Sequence, residues 1–297
     1  MRILITGAGG LLGGRLCELL AGEHDVTGVI RRQGAPYGIQ SRATDLTDGA
    51  AVAELLRLDR PDAVVHAAAL ADADICEREP DRARRDNVVA TTLLASACGR
   101  TGVRLIAIST DLVFDGTRAL SNETTTPAPR MQYGRSKLEA EAAAETQCPG
   151  AVILRIGLVC GRGHGPRRTA SEALAFRLRR GEGVTLYEDE WRTPLGSDSV
   201  ADAVSAVLKR PDAKGIFHIA GAERLSRVRL GERVAAVLGL DASLIRRAPQ
   251  RSHQGAPRPA DVSLDVARAR SELGWRPGPL DDAIREGRIE GTTSAAP

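Results

Sequence analysis

Lysine is scarce in this 297-residue chain: Lys137, Lys209 and Lys214 are three of 41 basic residues, and the others are arginine. Aromatics are scarce too, at 3%, with three tyrosines, three phenylalanines and two tryptophans. No apolar run approaches the ~18 residues that cross a bilayer, which excludes a membrane-spanning protein. The five cysteines contain no C-x-x-C pair and the five histidines no H-x-x-x-H spacing. Neither a disulfide framework nor a metal site is expected, and a reducing cytoplasm is the natural compartment. The opening Met1–Gly7 is too short an apolar run for a secretory signal. A net charge of +3 gives no argument for nucleic acid.

What is present is ordinary globular material, 42% apolar and 27% charged. Short apolar runs at Arg2–Thr6, Asp25–Ile30, Ala63–His66, Arg104–Ser109 and Ala151–Ile156 read as strands. Helical patterns at Leu11–Leu20, Gly49–Leu58, Asp81–Gly99 and Tyr133–Glu145 alternate with them. Strands this apolar need cover on both faces, so the expectation is a Rossmann-like α/β fold, a doubly wound parallel sheet. Beyond Gly157 the pattern is less regular. A loop at Cys160–Arg168 precedes a helix at Thr169–Arg180, a strand at Val184–Tyr187 and a helix at Ser197–Lys209 capped by Ser197 or Asp198. A late strand at Gly215–Ala220 returns to the main sheet. Helices follow at Leu225–Gly239 and Val266–Leu273, with an irregular loop at Pro249–Pro259 between them. The expected division is a dinucleotide-binding core of 1–158, rejoined by 194–221, with a smaller C-terminal substrate lobe of 159–193 and 222–290. A disordered tail is expected at 291–297.

Between the first strand and helix runs Thr6-Gly7-Ala8-Gly9-Gly10-Leu11-Leu12-Gly13. Glycines at 7, 10 and 13 permit a tight turn and close approach to a diphosphate, while the helix start, Leu11 and Leu12 included, presents free N–H groups. The pattern alone is weak, and its place at the first strand–helix junction gives it weight. After the second strand come Arg31 and Arg32 with no acid beside them, which favours NADP(H) over NAD(H) because arginine suits a 2′-phosphate.

Tyr133 and Lys137 stand four apart at the start of a helix, on one face. With three tyrosines and three lysines, chance gives about 0.03 such pairs per chain, so accident explains it poorly. A free phenol titrates near ~10. A nearby ammonium, joined by an oxidised nicotinamide, is expected to bring it towards neutrality at a cost of about 4 kcal/mol.

These residues resemble the extended branch of the short-chain dehydrogenase/reductase family, and among its members the dTDP-4-dehydrorhamnose reductases. The resemblance rests on Ser109-Thr110-Asp111-Leu112-Val113-Phe114-Asp115-Gly116, on Tyr133-Gly134-Arg135-Ser136-Lys137-Leu138-Glu139, on Asp45-Leu46-Thr47-Asp48, on His66-Ala67-Ala68-Ala69, and on Asp74-Ile75-Cys76-Glu77 followed by Pro80 and Asn87. It implies that Thr110 hydrogen-bonds the substrate oxygen, Tyr133 donates a proton and Lys137 tunes Tyr133. It further implies that Asp45 and Leu46 meet the adenine and that Ala67, Ala68 and Ala69 flank the cofactor. Asp111 would orient sugar hydroxyls, and Arg192 in Trp191-Arg192-Thr193-Pro194 would pair with a diphosphate or lie on the surface. Leu112 and Leu158 stand where the family places aromatic residues, so the sugar pocket is expected to differ. The implied activity is NADPH-dependent reduction of a nucleotide-linked 4-keto-6-deoxy sugar. The alternatives are an epimerase or dehydratase of the same branch, or a silent NADP-binding regulatory subunit such as the beta subunit of methionine adenosyltransferase. The partner expected is a small nucleotide-sugar, with neither nucleic acid nor membrane, and a homodimer left open.

Overall fold

Val, Ile and Leu fill both faces of the expected strands, and helices cover both faces. The computed structural model describes residues 1–31, 36, 38–252 and 255–287; Arg32 and the tail at 291–297 lie outside the described residues. Seven strands form the main sheet: β1 (Arg2–Thr6), β2 (Asp25–Ile30), β3 (Gln40–Ala43), β4 (Ala63–His66), β5 (Arg104–Thr110), β6 (Val152–Ile156) and β7 (Gly215–Ile219). Their order is β7-β6-β5-β4-β1-β2-β3, and every pairing is parallel. The chain therefore reverses its direction of travel across the sheet between β1 and β4, where open α/β sheets leave a crevice at the carboxyl ends of their strands.

The first four helices are α1 (Leu11–Leu20), α2 (Gly49–Asp59), α3 (Ala73–Arg78) and α4 (Ala90–Thr101). After them come α5 (Gln132–Gln147), α6 (Ala170–Arg179), α7 (Ser197–Leu208), α8 (Arg227–Leu238), α9 (Ala267–Leu273) and α10 (Leu280–Glu286). One face of the sheet packs Leu16, Cys17 and Leu20 of α1 with Val200, Val204 and Val207 of α7. The other face packs Val52, Leu55 and Leu56 of α2 with Leu94 and Cys98 of α4. Fully burying each such side chain contributes about 1.5–3 kcal/mol. A third apolar cluster joins α6, α8 and α10 through Leu174, Leu178, Val228, Val234 and Ile284, separate from the sheet.

Several local expectations need correction. β3 escaped the sequence reading because Gln40-Ser41-Arg42-Ala43 is polar, as an edge strand beside solvent can be. The long helix expected at 81–99 is present, running without a break over 80–101 as α-helix at Pro80–Ala83, a π-helical segment at Arg84–Val89, and α4; the π-helical segment is what the sequence did not show. Gly196, rather than Ser197 or Asp198, is the N-cap of α7, and no side chain caps it. Leu225–Ser226 forms a short strand against Trp191–Arg192 before α8 begins, with the Ser226 hydroxyl capping the helix. Trp275 is a packing residue: it is buried and its indole donates to the Ser199 carbonyl at 3.0 Å.

Candidate active site

The turn after β1 is shaped by backbone crowding. Gly7 has φ +71°, a left-handed conformation, and a Cβ there would lie 2.8 Å from Ala68 Cα. At Gly13 a Cβ would lie 2.2 Å from the Gly7 carbonyl oxygen. Gly10 is the N-cap of α1 and brings no side chain to cap it, so the first amides of the helix are available to an anion. The turn thus has the shape and polarity that a dinucleotide diphosphate requires.

Next to it, β4 ends in a buried polar chain. Thr6 Oγ1 lies 2.7 Å from His66 Nδ1 and accepts from the Ala68 amide at 3.1 Å. On its other side His66 Nε2 is 2.9 Å from Thr91 Oγ1, which donates to the Asn87 carbonyl at 2.6 Å. Burial, helped by the charge of Lys137, pushes His66 down to about 3, so it serves this chain as a neutral ring. Asn87 then ties the loop after β4 to α5, accepting from the Leu70 amide at 2.7 Å and donating to Ser136 Oγ at 2.9 Å.

The end of β5 supplies Thr110, whose Oγ1 accepts from the Leu112 amide at 3.2 Å and donates to Asp111 Oδ1 at 3.2 Å. Helix α5 can start against this turn because residue 134 is glycine: a Cβ would lie 2.1 Å from the Leu112 carbonyl oxygen. Glu77 of α3 accepts from the Gln132 amide at 2.6 Å and so anchors the same helix start. Tyr133 is half-buried, with its hydroxyl in hydrogen-bonding contact with Thr110, and Lys137 is buried one turn further on. Desolvation lowers Lys137 to about 8, opposed by Glu141. Burial, then Asp111 and Cys76, push Tyr133 upward, with the Thr110 bond acting the other way. Lys137 is not among the groups that set this shift, and on the sequence reading it acts jointly with the cation of an oxidised nicotinamide.

Tyr133 and Leu112 line a cleft of about 280 Å³ together with Ala71, Asp72, Met131, Arg192 and Arg258. Arg192 is 4% exposed, which removes the surface alternative; it pairs with Glu190 at 3.0 Å and lies 4.0 Å from Asp111 Oδ2. Asp111 Oδ2 is buried without a hydrogen bond. Desolvation raises Asp111 to about 6 against the pull of Arg192. Leu158 does not reach the cleft wall; it packs against the apolar cluster of α6, α8 and α10.

At the far end of the glycine turn the expectation of no acid near Arg31 is overturned. The π-helical turn carries Asp86 to within 3.2 Å of Arg31 Nη1, with Arg85 on the other oxygen at 3.1 Å. Asp45 is exposed, and bonds from Thr47 hold its carboxyl below the usual range, with Arg31 and Arg85 contributing. Leu46 is buried. Ala67 and Ala68 are half-buried and Ala69 is exposed. Sequence reasoning passed over Glu190, Arg258 and Met131 as site residues: Arg258 is distant in the chain, while Met131 and Glu190, two residues before Tyr133 and Arg192, belong to no motif. The role of Asn87 was legible only as part of one.

Residues 1–287 match the RmlD substrate binding domain family. The chain belongs to that family. A probable low-salt glycan biosynthesis reductase of Haloferax volcanii is 34% identical, with 96% of each chain covered. The methionine adenosyltransferase 2 subunit beta of Danio rerio is 32% identical, covering 96% of this chain and 89% of that one. Among solved structures, a hypothetical dTDP-4-dehydrorhamnose reductase from Sulfolobus tokodaii is similar at a TM-score of 0.86 and 30% identity, covering 97% of this chain and all of that one. The family's extended short-chain dehydrogenase/reductase fold is thus the fold of this chain.

Proposed function

We propose that the protein is an NADPH-dependent reductase of a nucleotide-linked 4-keto-6-deoxy sugar. The observation that carries this reading is Tyr133 in the wall of the cleft, in hydrogen-bonding contact with Thr110 and one helical turn from the buried Lys137, at the carboxyl end of the same parallel sheet that bears the glycine turn. Similarity to reductases in the family supports it.

Gly7, Gly10, Leu11, Leu12 and Gly13 would hold the diphosphate, Ala67, Ala68 and Ala69 would flank the cofactor, and Asp45 and Leu46 would meet the adenine. Arg31, paired with Asp86, would face the 2′-phosphate. A nicotinamide dinucleotide supplies a hydride and, once oxidised, a positive charge. Thr110 and Tyr133 donate hydrogen bonds to the substrate carbonyl oxygen, and Tyr133 gives up its proton as alkoxide character develops. Lys137 supplies a cation behind the tyrosinate. Burial raises the cost of that anion, and two cations rather than one offset it. Arg192, braced by Glu190, and Arg258 meet the substrate diphosphate, while Asp111 accepts from a sugar hydroxyl. The lobe of 159–193 and 222–287 closes the substrate side, and aliphatic Leu112 sets a pocket unlike that of the rhamnose-precursor enzymes.

Purified protein should oxidise NADPH with a dTDP-4-keto-6-deoxy sugar, and Tyr133→Phe should lower kcat by about 10²-fold or more with folding unchanged. Similarity to the methionine adenosyltransferase beta subunit supports a second, regulatory reading. That reading replaces the first if Tyr133→Phe leaves the physiological activity intact. Conversion of substrate without net NADPH oxidation would point instead to an epimerase or dehydratase.

A further inference from the structure

Behind the proposed catalytic pair lies a second layer of charge that the reaction does not touch. Lys137 and Glu141 are one helical turn apart on α5, and both are at most 5% exposed. Glu141 is engaged from two strands. Arg155 of β6 grips it through Nε at 3.1 and 3.2 Å and through Nη2 at 2.7 Å, while Ser109 Oγ of β5 donates to its Oε1. Lys137, Glu141, Ser109, His66 of β4 and Thr91 of α4 line one internal void of about 10 Å³. A space that size is at the threshold for a single water, so the charges around it are poorly screened.

The charges do not balance. Lys137 and Arg155 are two cations and Glu141 is one anion, while His66 is neutral. One positive charge is left over, and Tyr133 stands one helical turn before Lys137 on the same face. Arg155 is ion-paired with Glu141 at 2.7 Å and its guanidinium carbon lies 5.3 Å from the ring of Phe114, while its Nη1 is buried without a hydrogen bond. Because Glu141 is already paired with Arg155, we assign the surplus to Lys137. Among the described residues, Glu141 is the carboxylate that supports the charge of Lys137 against desolvation.

We propose that Glu141 is a positioning residue for the reaction: clamped by Arg155 and Ser109, it presents a fixed carboxylate that keeps Lys137 an ammonium. The proposal rests on the reading of Tyr133 and Lys137 as the proton-transfer pair, but its test does not depend on turnover. With three lysines in the whole chain, carbon-13 labelling at lysine Cε gives a spectrum in which Lys137 can be titrated directly, with Lys209 and Lys214 as internal references.

In wild-type protein the Lys137 midpoint is expected near 8. Glu141→Gln should lower it by about one unit or more, so that the amine is largely neutral at pH 8. Because Glu141→Gln strands the buried Arg155 and can impair folding, the double variant Glu141→Gln/Arg155→Met removes both charges together. It should keep the lowered midpoint while recovering thermal stability, and Glu141→Asp should restore most of the wild-type value. A midpoint unchanged within about 0.3 units in the folded double variant would overturn the proposal, leaving Glu141 as a mere anchor for Arg155. Absence of NADPH turnover with keto sugars would count against the reductase reading and leave this titration unaffected.

Discussion

Replacing Gly13 by alanine puts the proposed diphosphate cradle to a direct test. The new Cβ would sit 2.2 Å from the Gly7 carbonyl oxygen and 2.6 Å from its carbonyl carbon. Both are backbone atoms of the turn itself, so no side chain can swing away. Restoring ordinary contact at 3.4 Å requires the turn and the start of α1 to part by about 1.2 Å. Overpacking of this kind costs about 1–3 kcal/mol of stability. The larger effect should fall on the cofactor, since a shift over 1 Å misaligns amides that must lie within ~3.2 Å of phosphate oxygens. Losing one such charge-assisted bond, worth about 1.5–3 kcal/mol, weakens NADPH binding by about 10- to 100-fold. Gly22→Ala is the control, for a Cβ there meets nothing within 4 Å. Binding is read by NADPH fluorescence, with circular dichroism establishing that the variants are folded at the assay temperature. A folded Gly13→Ala protein that binds NADPH like wild type would refute the placement of the diphosphate at this turn.

Asp111→Asn should stabilise the protein selectively above pH 6. The native carboxyl titrates near 6 against 3.8 when unfolded, so the folded state binds more protons between those values and wild-type stability falls as pH rises through that window. The amide avoids that loss, worth up to ~3 kcal/mol, and melting curves should separate at pH 8 and converge at pH 4; equal melting shifts at both pH values would sink the argument. Arg31→Ala should weaken NADPH by about tenfold while sparing NADH, a modest figure because Arg31 is exposed and already shares its charge with Asp86. Equal losses for the two cofactors, measured by calorimetry, would mean that Arg31 does not read the 2′-phosphate.

The chain order alone determined the alternation of strand and helix, and with it a parallel sheet with a crevice at its switch point. Hydrophobic period is a local property, so β1, β2, β4 and α1 were legible to the residue. Polar β3 was not, because an edge strand need not be apolar on both faces. The site divided the same way. Gly13, Tyr133 and Lys137 stood out because each belongs to a short segment whose spacing has a geometric meaning.

Spacing does not reveal Arg258 as a cleft residue or the Arg155–Glu141 clamp, whose members are brought together from separate segments of the chain. Arg31 looked unopposed until a π-helical turn 55 residues later delivered Asp86. The direction of the Tyr133 shift likewise belongs to the tertiary structure. Sequence spacing identifies which charges are neighbours, but the desolvation that outweighs them exists only once the helix is packed against Thr110 and Asp111.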